Sequence, residues 1–162
     1  GGTAAEPTYS IWSERMSTVT ADQPVIKRYV VKEVWKEYQV TLEVNHARLT
    51  PEVATMINSF WSDHKSRLQT ENGDVVKAVI HLFGQTMIRI MLSEGGSSFS
   101  IDTGKSDPFG QPGPVWTEDL HEEEGWGGSI KGDPYGWCGI RVIAADVEAP
   151  SFDDVELAEV GQ

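Results

Sequence analysis

A histidine and a run of carboxylates stand together in the second half of the chain. His121 precedes Glu122, Glu123 and Glu124, and imidazole and carboxylate side chains both suit zinc or manganese. His121 and Glu124 would share one face of a helix at a spacing of three residues, but a metal site needs a third and a fourth ligand. The other histidines lie on separate predicted elements: His46, His64 and His81. The pattern favours a solvated helix and leaves His121 and Glu124 as weak metal candidates.

Negative charge is concentrated in the same half of the chain. The 162 residues carry a formal charge of -12, which is the wrong sign for binding phosphate backbones. Residues 117–162 contain 12 acidic and 2 basic side chains, against 13 and 11 in residues 1–116. Five of the acids are assigned to an acidic face: Glu122, Glu123, Glu124, Asp153 and Asp154. Such a face either keeps the protein in solution or attracts a basic partner, for which a nucleic-acid-binding protein is the expected class.

Aromatic side chains cluster in the glycine-rich region beside these acids. Four of them fall within 22 residues: Trp116, Trp126, Tyr135 and Trp137. Tryptophan and tyrosine dominate binding hot spots, so these residues are candidate interface anchors. A long loop can equally bury its own aromatic side chains in order to stay ordered. Both interpretations are open at the level of the sequence.

Recognisable catalytic motifs do not occur in the chain. It contains no GxSxG, P-loop or GxGxxG pattern, so we assign no catalytic residue and no cofactor. The single cysteine, Cys138, excludes an intramolecular disulfide. It stands at the head of an apolar strand, where a buried structural thiol is expected. One cysteine and the lack of a secretory signal pattern predict a cytoplasmic location.

Alternating apolar and polar residues predict a β-hairpin at the start of the folded domain. The alternation runs through residues 25–31 and 38–44, which leaves one face of the hairpin in water. Four basic residues concentrate there: Lys27, Arg28, Lys32 and Lys36. Because glutamates are interleaved with them, protection of an edge strand is favoured over a nucleic-acid patch. Residues 1–23 are assigned to a flexible N-terminal tail, and residues 24–162 to a single domain.

Two helices are predicted after the hairpin. Thr50 and Pro51 begin the first, and Asp74 caps the second, which ends at Gly95 and Gly96. The apolar stripe of the first helix is Val53, Met56, Ile57, Phe60 and His64. The stripe of the second is Val76, Val79, Ile80, Phe83, Met87, Ile90 and Met91. Gly84 within the second helix indicates a close helix crossing. Charged and polar residues interrupt the apolar sequence of this helix and argue against a membrane span.

The rest of the chain predicts a long loop and a return to strands. Residues 95–139 are rich in glycine and tryptophan and are broken by one short helix with Thr117 as N-cap. A β pattern returns at residues 138–148, and a last short run covers residues 155–160. The order β-β-α-α-loop-β-β predicts an α+β fold, in which an antiparallel sheet carries two helices packed on one face as a two-layer sandwich.

Most of the chain resembles an uncharacterised bacterial family. The resemblance rests on IKRYVVKEVWKEYQVTLEVNHARLTPEVATMINSFW, ENGDVVKAVIHLFG, WTEDLHEEEGW and GIRVIAADVEAPSFDDVELAEV. That family is a domain of unknown function associated with integrative elements and prophages. The resemblance implies a small cytoplasmic accessory protein of mobile DNA, and it carries over no activity and no site residues.

These observations favour a non-enzymatic interaction module. Its acidic face would bind the basic surface of a protein that handles nucleic acid, and the aromatic residues would act as anchors. Direct binding to nucleic acid or to a membrane is not expected. One alternative is a metal-assisted hydrolase that uses His121 and Glu124. Another is a homodimeric structural protein whose edge strand or Trp-rich loop pairs with itself.

Overall fold

A four-stranded antiparallel sheet organises the part of the chain that the computed structural model describes, residues 23–100 and 112–161. The strands are β1 (Ile26–Lys32), β2 (Gln39–Asn45), β3 (Gly96–Ser100) and β4 (Ile140–Glu148), in the spatial order β1-β2-β4-β3. β1 and β2 form the predicted hairpin. β4 pairs with both β2 and β3, so β1 and β3 are the edges of the sheet within the described residues. The predicted α+β fold class is confirmed.

Four helices pack against this sheet in the described residues. They are α1 (Pro51–Asn58), α2 (His64–Thr70), α3 (Val75–Ser93) and α4 (Pro112–His121). α3 contacts all four strands, α1 and α2 pack on α3, and α4 lies between α3 and β4. A short 3-10 turn, Phe152–Asp154, follows the sheet. The prediction of two helices on one face therefore undercounts them.

The central helix α3 is the element that the sequence pattern describes best. The Asp74 carboxylate accepts a hydrogen bond from the Lys77 backbone N–H at 3.1 Å, as an N-cap does. The predicted stripe faces the sheet, and α3 ends at Ser93 just before Gly95. α3 is long and apolar enough to cross a bilayer, but half of the relevant window is buried in the protein. It has the burial of a core helix, as the sequence predicts.

Gly84 permits a close contact between α3 and a strand. A Cβ atom at this position would lie 2.4 Å from side-chain atoms of Val31 on β1. The predicted close crossing is therefore real, but the partner is strand β1 and not a second helix.

The first predicted helix divides into two shorter helices. α1 ends at Asn58, and Asp63 has a left-handed backbone with φ 65° before α2 begins at His64. Arg67 of α2 joins the two ends, since its guanidinium donates to the Asn58 carbonyl at 2.9 Å and to the Ser62 carbonyl at 2.8 Å. α1 buries Ala54, Ile57 and Asn58, so Met56 of the predicted stripe is exposed, and Phe60 beyond the end of α1 is exposed as well.

The predicted loop region 95–139 contains two regular elements. β3 occupies residues 96–100, and α4 begins at Pro112, five residues before the predicted N-cap. Prolines suit the first turn of a helix because they have no N–H to satisfy there. Thr117 is buried inside α4, where its hydroxyl accepts a hydrogen bond from the Val142 backbone N–H at 3.1 Å.

Two terminal predictions have different outcomes. Residues 155–160 are exposed and form no strand, so the last predicted β run is wrong. They pair with no strand among the described residues. The predicted N-terminal tail falls almost entirely on residues 1–22, which lie outside the described residues, and stays a prediction.

Candidate functional site

A groove lies between the α1–α2 connection, α3 and the segment that follows α4. Its volume is about 590 Å³, and we call it the Trp61 groove. Its lining includes three of the predicted site residues, Glu123, Glu124 and Trp126, together with Trp61 and Arg89. The groove is where the structure brings predicted acidic and aromatic residues together.

Trp126 forms the buried floor of this groove. Its side chain has 0% relative exposure, and its ring centroid lies 5.3 Å from those of both Trp61 and Phe83. Such tilted and edge-to-face aromatic contacts belong to well-packed cores. Trp126 is therefore a core residue in this structure and not an accessible anchor, which corrects the role predicted for it.

Trp61 is the half-buried aromatic residue that sequence reasoning missed. It follows α1 directly, and its ring contacts Phe60 at a centroid distance of 5.0 Å. The chain crosses both rings at Gly125, where φ is +97° and an added Cβ would lie 2.6 Å from Trp61. The adjacent pair Phe60 and Trp61 is the available signal, but the predicted helical stripe includes Phe60 and continues to His64 without Trp61.

Two arginines line the groove, and both are engaged. Arg89 of α3 donates to the Glu123 carboxylate at 3.0 Å, in an ion pair that is exposed to solvent. The Arg67 guanidinium donates hydrogen bonds to the Asn58 side chain and to backbone carbonyl oxygens. Glu123 is thus the member of the predicted acidic face that has a cationic partner, while Glu124 is exposed at the rim.

Exposed carboxylates continue from the rim along α4. Glu118, Asp119 and Glu122 are exposed on or just after this helix, and Glu124 follows them. We call these four residues the α4 acidic strip. Glu122 accepts a hydrogen bond from the Ser129 backbone N–H at 2.8 Å, and this bond lowers the pKa of its carboxyl group. Glu122 is therefore negatively charged at neutral pH.

His121 lies behind the strip, inside the core. Its Nε2 donates to the Ile140 carbonyl at 2.7 Å, and its ring packs against Phe83. Burial lowers the pKa of His121 and keeps its imidazole neutral, although the bond to Ile140 opposes this shift. Gly136 lies so close that an added Cβ would be 2.4 Å from the His121 Nδ1 atom. The side chain is enclosed on both sides.

The two weak metal candidates are separated by this arrangement. His121 is 1% exposed and bonded to the backbone, whereas the Glu124 side chain is at the surface. Across residues 23–100 and 112–161, no group of three or more histidine, cysteine, aspartate or glutamate side chains is arranged to hold a metal ion. The geometry therefore offers the hydrolase alternative no assembled ligand set.

Asp153 and Asp154 lie far from the other predicted acids. His121 is bonded to the first residue of β4, whereas Asp154 lies beside Glu148, the last residue of that strand. A nine-residue strand is about 27 Å long, so the predicted acidic face is two separate surfaces. The Asp154 carboxylate accepts bonds from Ser151, and these lower its pKa. Asp153 is exposed.

The remaining predicted anchors are half-buried and hold local structure together. Trp116 donates from its indole Nε1 to the Ser97 hydroxyl at 3.0 Å, linking α4 to β3. Trp137 packs under Gly127, where a Cβ would lie 2.1 Å from the indole ring. Tyr135 donates from its hydroxyl to Glu43 at 2.7 Å. None of the three is fully exposed; Trp116 joins α4 to β3, and Tyr135 and Trp137 hold the segment that follows α4.

Glu43 is the centre of a charged cluster that the hairpin pattern did not reveal. The predicted alternation over residues 38–44 places Glu43 on the wet face of β2, between Leu42 and Val44, yet it is only 7% exposed. Arg141 donates to Glu43 at 2.6 and 2.9 Å, and Arg28 donates at 3.2 Å. Burial alone would raise the pKa of Glu43, but bonds from Tyr135 and the two arginines lower it overall. This ionised carboxylate fixes Tyr135 to the sheet.

Cys138 is buried, as the sequence predicts. Desolvation raises the pKa of its thiol to about 12, so the thiolate is not formed at neutral pH. A thiol of this kind is a packing group and a poor nucleophile.

Comparison with known proteins places this chain in a family. A family model described as a protein of unknown function (DUF2528) matches residues 39–157. Two curated relatives are each 32% identical over 76 residues: "Lambda prophage-derived protein ea10" of Escherichia coli O6:H1 and "Protein ea10" of Escherichia phage lambda. The match covers 47% of this chain and 61% of each relative, less than two thirds of their length. No solved structure matches. The predicted resemblance to a prophage-associated family of unknown function is confirmed.

Proposed function

Because the chain belongs to the DUF2528 family of proteins of unknown function, we propose its role from its surface: a non-enzymatic module that binds a basic protein through the α4 acidic strip. Its similarity to a phage and a prophage protein supports a role as an accessory protein of mobile DNA. The partner would be a cytoplasmic protein whose basic surface normally contacts nucleic acid. The charge of the chain opposes direct binding to nucleic acid.

The observation that carries this proposal is the position of the strip. Its carboxylates lie at and beyond the C-terminal end of α4, where the helix dipole disfavours negative charge. Glu118 and Glu122 are also four residues apart, a spacing at which like charges destabilise a helix by about 0.2–0.5 kcal/mol. Apart from the bond that Glu122 accepts from the Ser129 N–H, this arrangement does not favour folding. It does favour the attraction of a positively charged partner, because exposed charge steers association and selects partners.

The Trp61 groove supplies an apolar element beside the strip. Trp61 is half-buried, and Glu123 and Glu124 line the same groove. A basic surface docked on the strip would place one apolar side chain against Trp61, which gives the contact a desolvated centre. This role replaces the one predicted for Trp126.

Capture from bacterial lysate tests the proposal. The strip variant carries Glu118→Gln, Asp119→Asn, Glu122→Gln and Glu124→Gln, which removes four charges with little change of shape. The matched control removes four exposed charges elsewhere through Glu52→Gln, Glu94→Gln, Asp146→Asn and Glu148→Gln. The proposal predicts that the parent and the control retain the same basic nucleic-acid-handling protein at low salt, and that the strip variant loses it.

Equal behaviour of the two variants would contradict the proposal. If both lose the captured protein to the same extent, total charge and not the strip is responsible. If neither loses it, the acidity serves only to keep the protein in solution.

A further inference from the structure

A second groove runs along the outer edge of the sheet, between β1 and the first half of α3. Its volume is about 410 Å³, and we call it the β1–α3 groove. Tyr29, Val31 and Ile80 give it an apolar wall, while Lys32 and Lys77 place cations at its rim. The Glu71 carboxylate in this groove is engaged by His81 at 2.9 Å. The groove is thus apolar inside and basic outside.

Alternate residues of β1 beside this groove point their backbone N–H and C=O groups away from the sheet. The His46 N–H donates to the Val25 carbonyl, and the Glu33 N–H donates to the Tyr38 carbonyl. Odd-numbered residues of β1 therefore bond to β2, and the backbone groups of Val30 and Lys32 point outward. No other strand of the described part of the chain lies on that side. An edge next to a groove is the arrangement that accepts an added strand.

The C-terminal segment, residues 151–161, has the complementary chemistry. All of it is exposed, and its four large apolar side chains have relative exposures of 58–100%: Phe152, Val155, Leu157 and Val160. Its four acids are Asp153, Asp154, Glu156 and Glu159, and residues 149–162 contain no lysine or arginine. Four such side chains within nine residues form a concentration of exposed apolar surface, and contiguous apolar surface of this kind marks an interaction site.

The local conformation of this segment favours an extended strand. Ser151 and Asp154 form a capping box that fixes the 3-10 turn. Val155 then leaves the turn with φ -125° and ψ 151°, which are strand values. In an extended chain Val155 and Leu157 point to one side, and Glu156 points to the other. The side with Val155 and Leu157 can enter an apolar groove, while Glu156 on the other side, and Glu159 two residues beyond Leu157, can reach lysines at the rim of that groove.

We propose that the C-terminal segment of one copy adds as a strand to β1 of a second copy, with Val155 and Leu157 in the β1–α3 groove. Glu156 and Glu159 then lie near Lys32 and Lys77. The exchange is reciprocal, so a two-fold axis closes the assembly and covers both segments. This surface is separate from the α4 acidic strip, and the inference does not rest on the function proposed above.

A second copy is favoured over the same chain by where the segment begins. Its first residues lie beside Lys36, Glu37 and Tyr38, at the end of the sheet where the hairpin turns. β2 separates β4 from β1, and each strand spacing adds about 4.8 Å. To reach its own β1, the segment would have to bend around the hairpin turn. In a two-fold dimer it reaches the partner's edge without doing so.

Sedimentation velocity of the full chain over a range of concentrations tests this inference. The parent is expected to form a dimer that dissociates on dilution. Leu157→Asp should weaken the dimer by about tenfold or more, because it places a charge in the groove. Val115→Asp is the matched control, since Val115 is an exposed apolar residue on α4. Leu157 is fully exposed in the single copy, so its variant is expected to remain folded, as circular dichroism would verify.

Charge exchange provides the second arm of the experiment. Lys32→Glu with Lys77→Glu should weaken the dimer, and adding Glu156→Lys with Glu159→Lys to the same chain should restore it. A parent that stays monomeric at every concentration would overturn the inference, and would point to the chain's own segment or to nothing in the groove. Equal effects of Leu157→Asp and Val115→Asp would also overturn it.

Discussion

Glu43 and the α4 acidic strip place carboxylates in opposite situations. Glu43 is nearly buried and accepts bonds from Tyr135, Arg28 and Arg141. The strip is exposed, and the ion pair beside it belongs to Glu123. A buried carboxylate needs all of its partners because removing one leaves a charge uncompensated in the interior. The exposed carboxylates of the strip have fewer partners, of which the Ser129 N–H is one, so we expect them to contribute less to folding than Glu43 does.

The largest expected effect comes from opening the buried cluster. Glu43→Ala leaves Arg141 and Tyr135 without their acceptor, and we expect the free energy of unfolding to fall by about 3–5 kcal/mol. Urea denaturation followed by tryptophan fluorescence measures this loss. Glu43→Gln keeps one acceptor and should lose less. A loss below about 1 kcal/mol in the alanine variant would place Glu43 with the exposed acids.

A half-buried ion pair should give an intermediate effect. Arg48 bonds to Asp133 at 2.5 Å and to the Gly136 carbonyl at 2.7 Å, which ties the segment after α4 to the loop after β2. Arg48→Met keeps most of the apolar stem, so we expect a loss of about 1–2 kcal/mol from the charged hydrogen bonds. The same urea titration measures it. An effect as large as that of Glu43→Ala would break the ranking by burial.

Acid should destabilise the protein through the buried histidine. Burial lowers the pKa of His121 below that of the unfolded chain, so the unfolded state binds more protons as pH falls below about 6.5. The stability contributed by neutral His121 is therefore complete above that pH and declines below it. His121→Gln keeps a donor for the Ile140 carbonyl and should make the stability less dependent on pH between about 7.5 and 5.5. An unchanged slope would contradict a neutral, buried His121. His46 is also lowered by burial and supplies a residual slope of the same sign.

The smallest effect on stability is expected from the strip itself. The variant with Glu118→Gln, Asp119→Asn, Glu122→Gln and Glu124→Gln should unfold within about 0.5 kcal/mol of the parent, and relief of repulsion should act in its favour. Thermal and urea unfolding at low salt measure this. A loss of about 2 kcal/mol or more would show that the strip supports the fold, and the comparison with Glu43 would fail.

Local signals account for the parts of the fold that were predicted correctly. About twenty consecutive residues contain the Asp74 cap and the apolar stripe of α3, and about twenty others contain the alternation of β1 and β2. The fold class follows from their order. Strand β3 was missed because Gly96–Ser100 has little β propensity of its own, and pairing with β4 supplies its structure.

The site was harder to predict because its parts are distant in the chain. The exposure of Trp126 depends on Trp61 and Phe83, which precede it by 65 and 43 residues. The local pattern assigns Glu43 to the wet face of the hairpin, because Tyr135 and Arg141, which bond to it and cover it, lie more than 90 residues later in the sequence. The acidic composition of residues 117–162 was evident, but only the length of β4 shows that Asp153 and Asp154 lie apart from the strip.

The most direct test of the central claim is the salt dependence of binding between the chain and the basic protein it captures, measured with both purified. Raising the salt from about 0.1 to 1 M shortens the Debye length from about 10 to 3 Å. We predict that the affinity of the parent falls steeply over this range and that the strip variant binds about tenfold or more weakly at the lower salt. An affinity that is independent of salt, or a strip variant that binds as the parent does, would contradict the account.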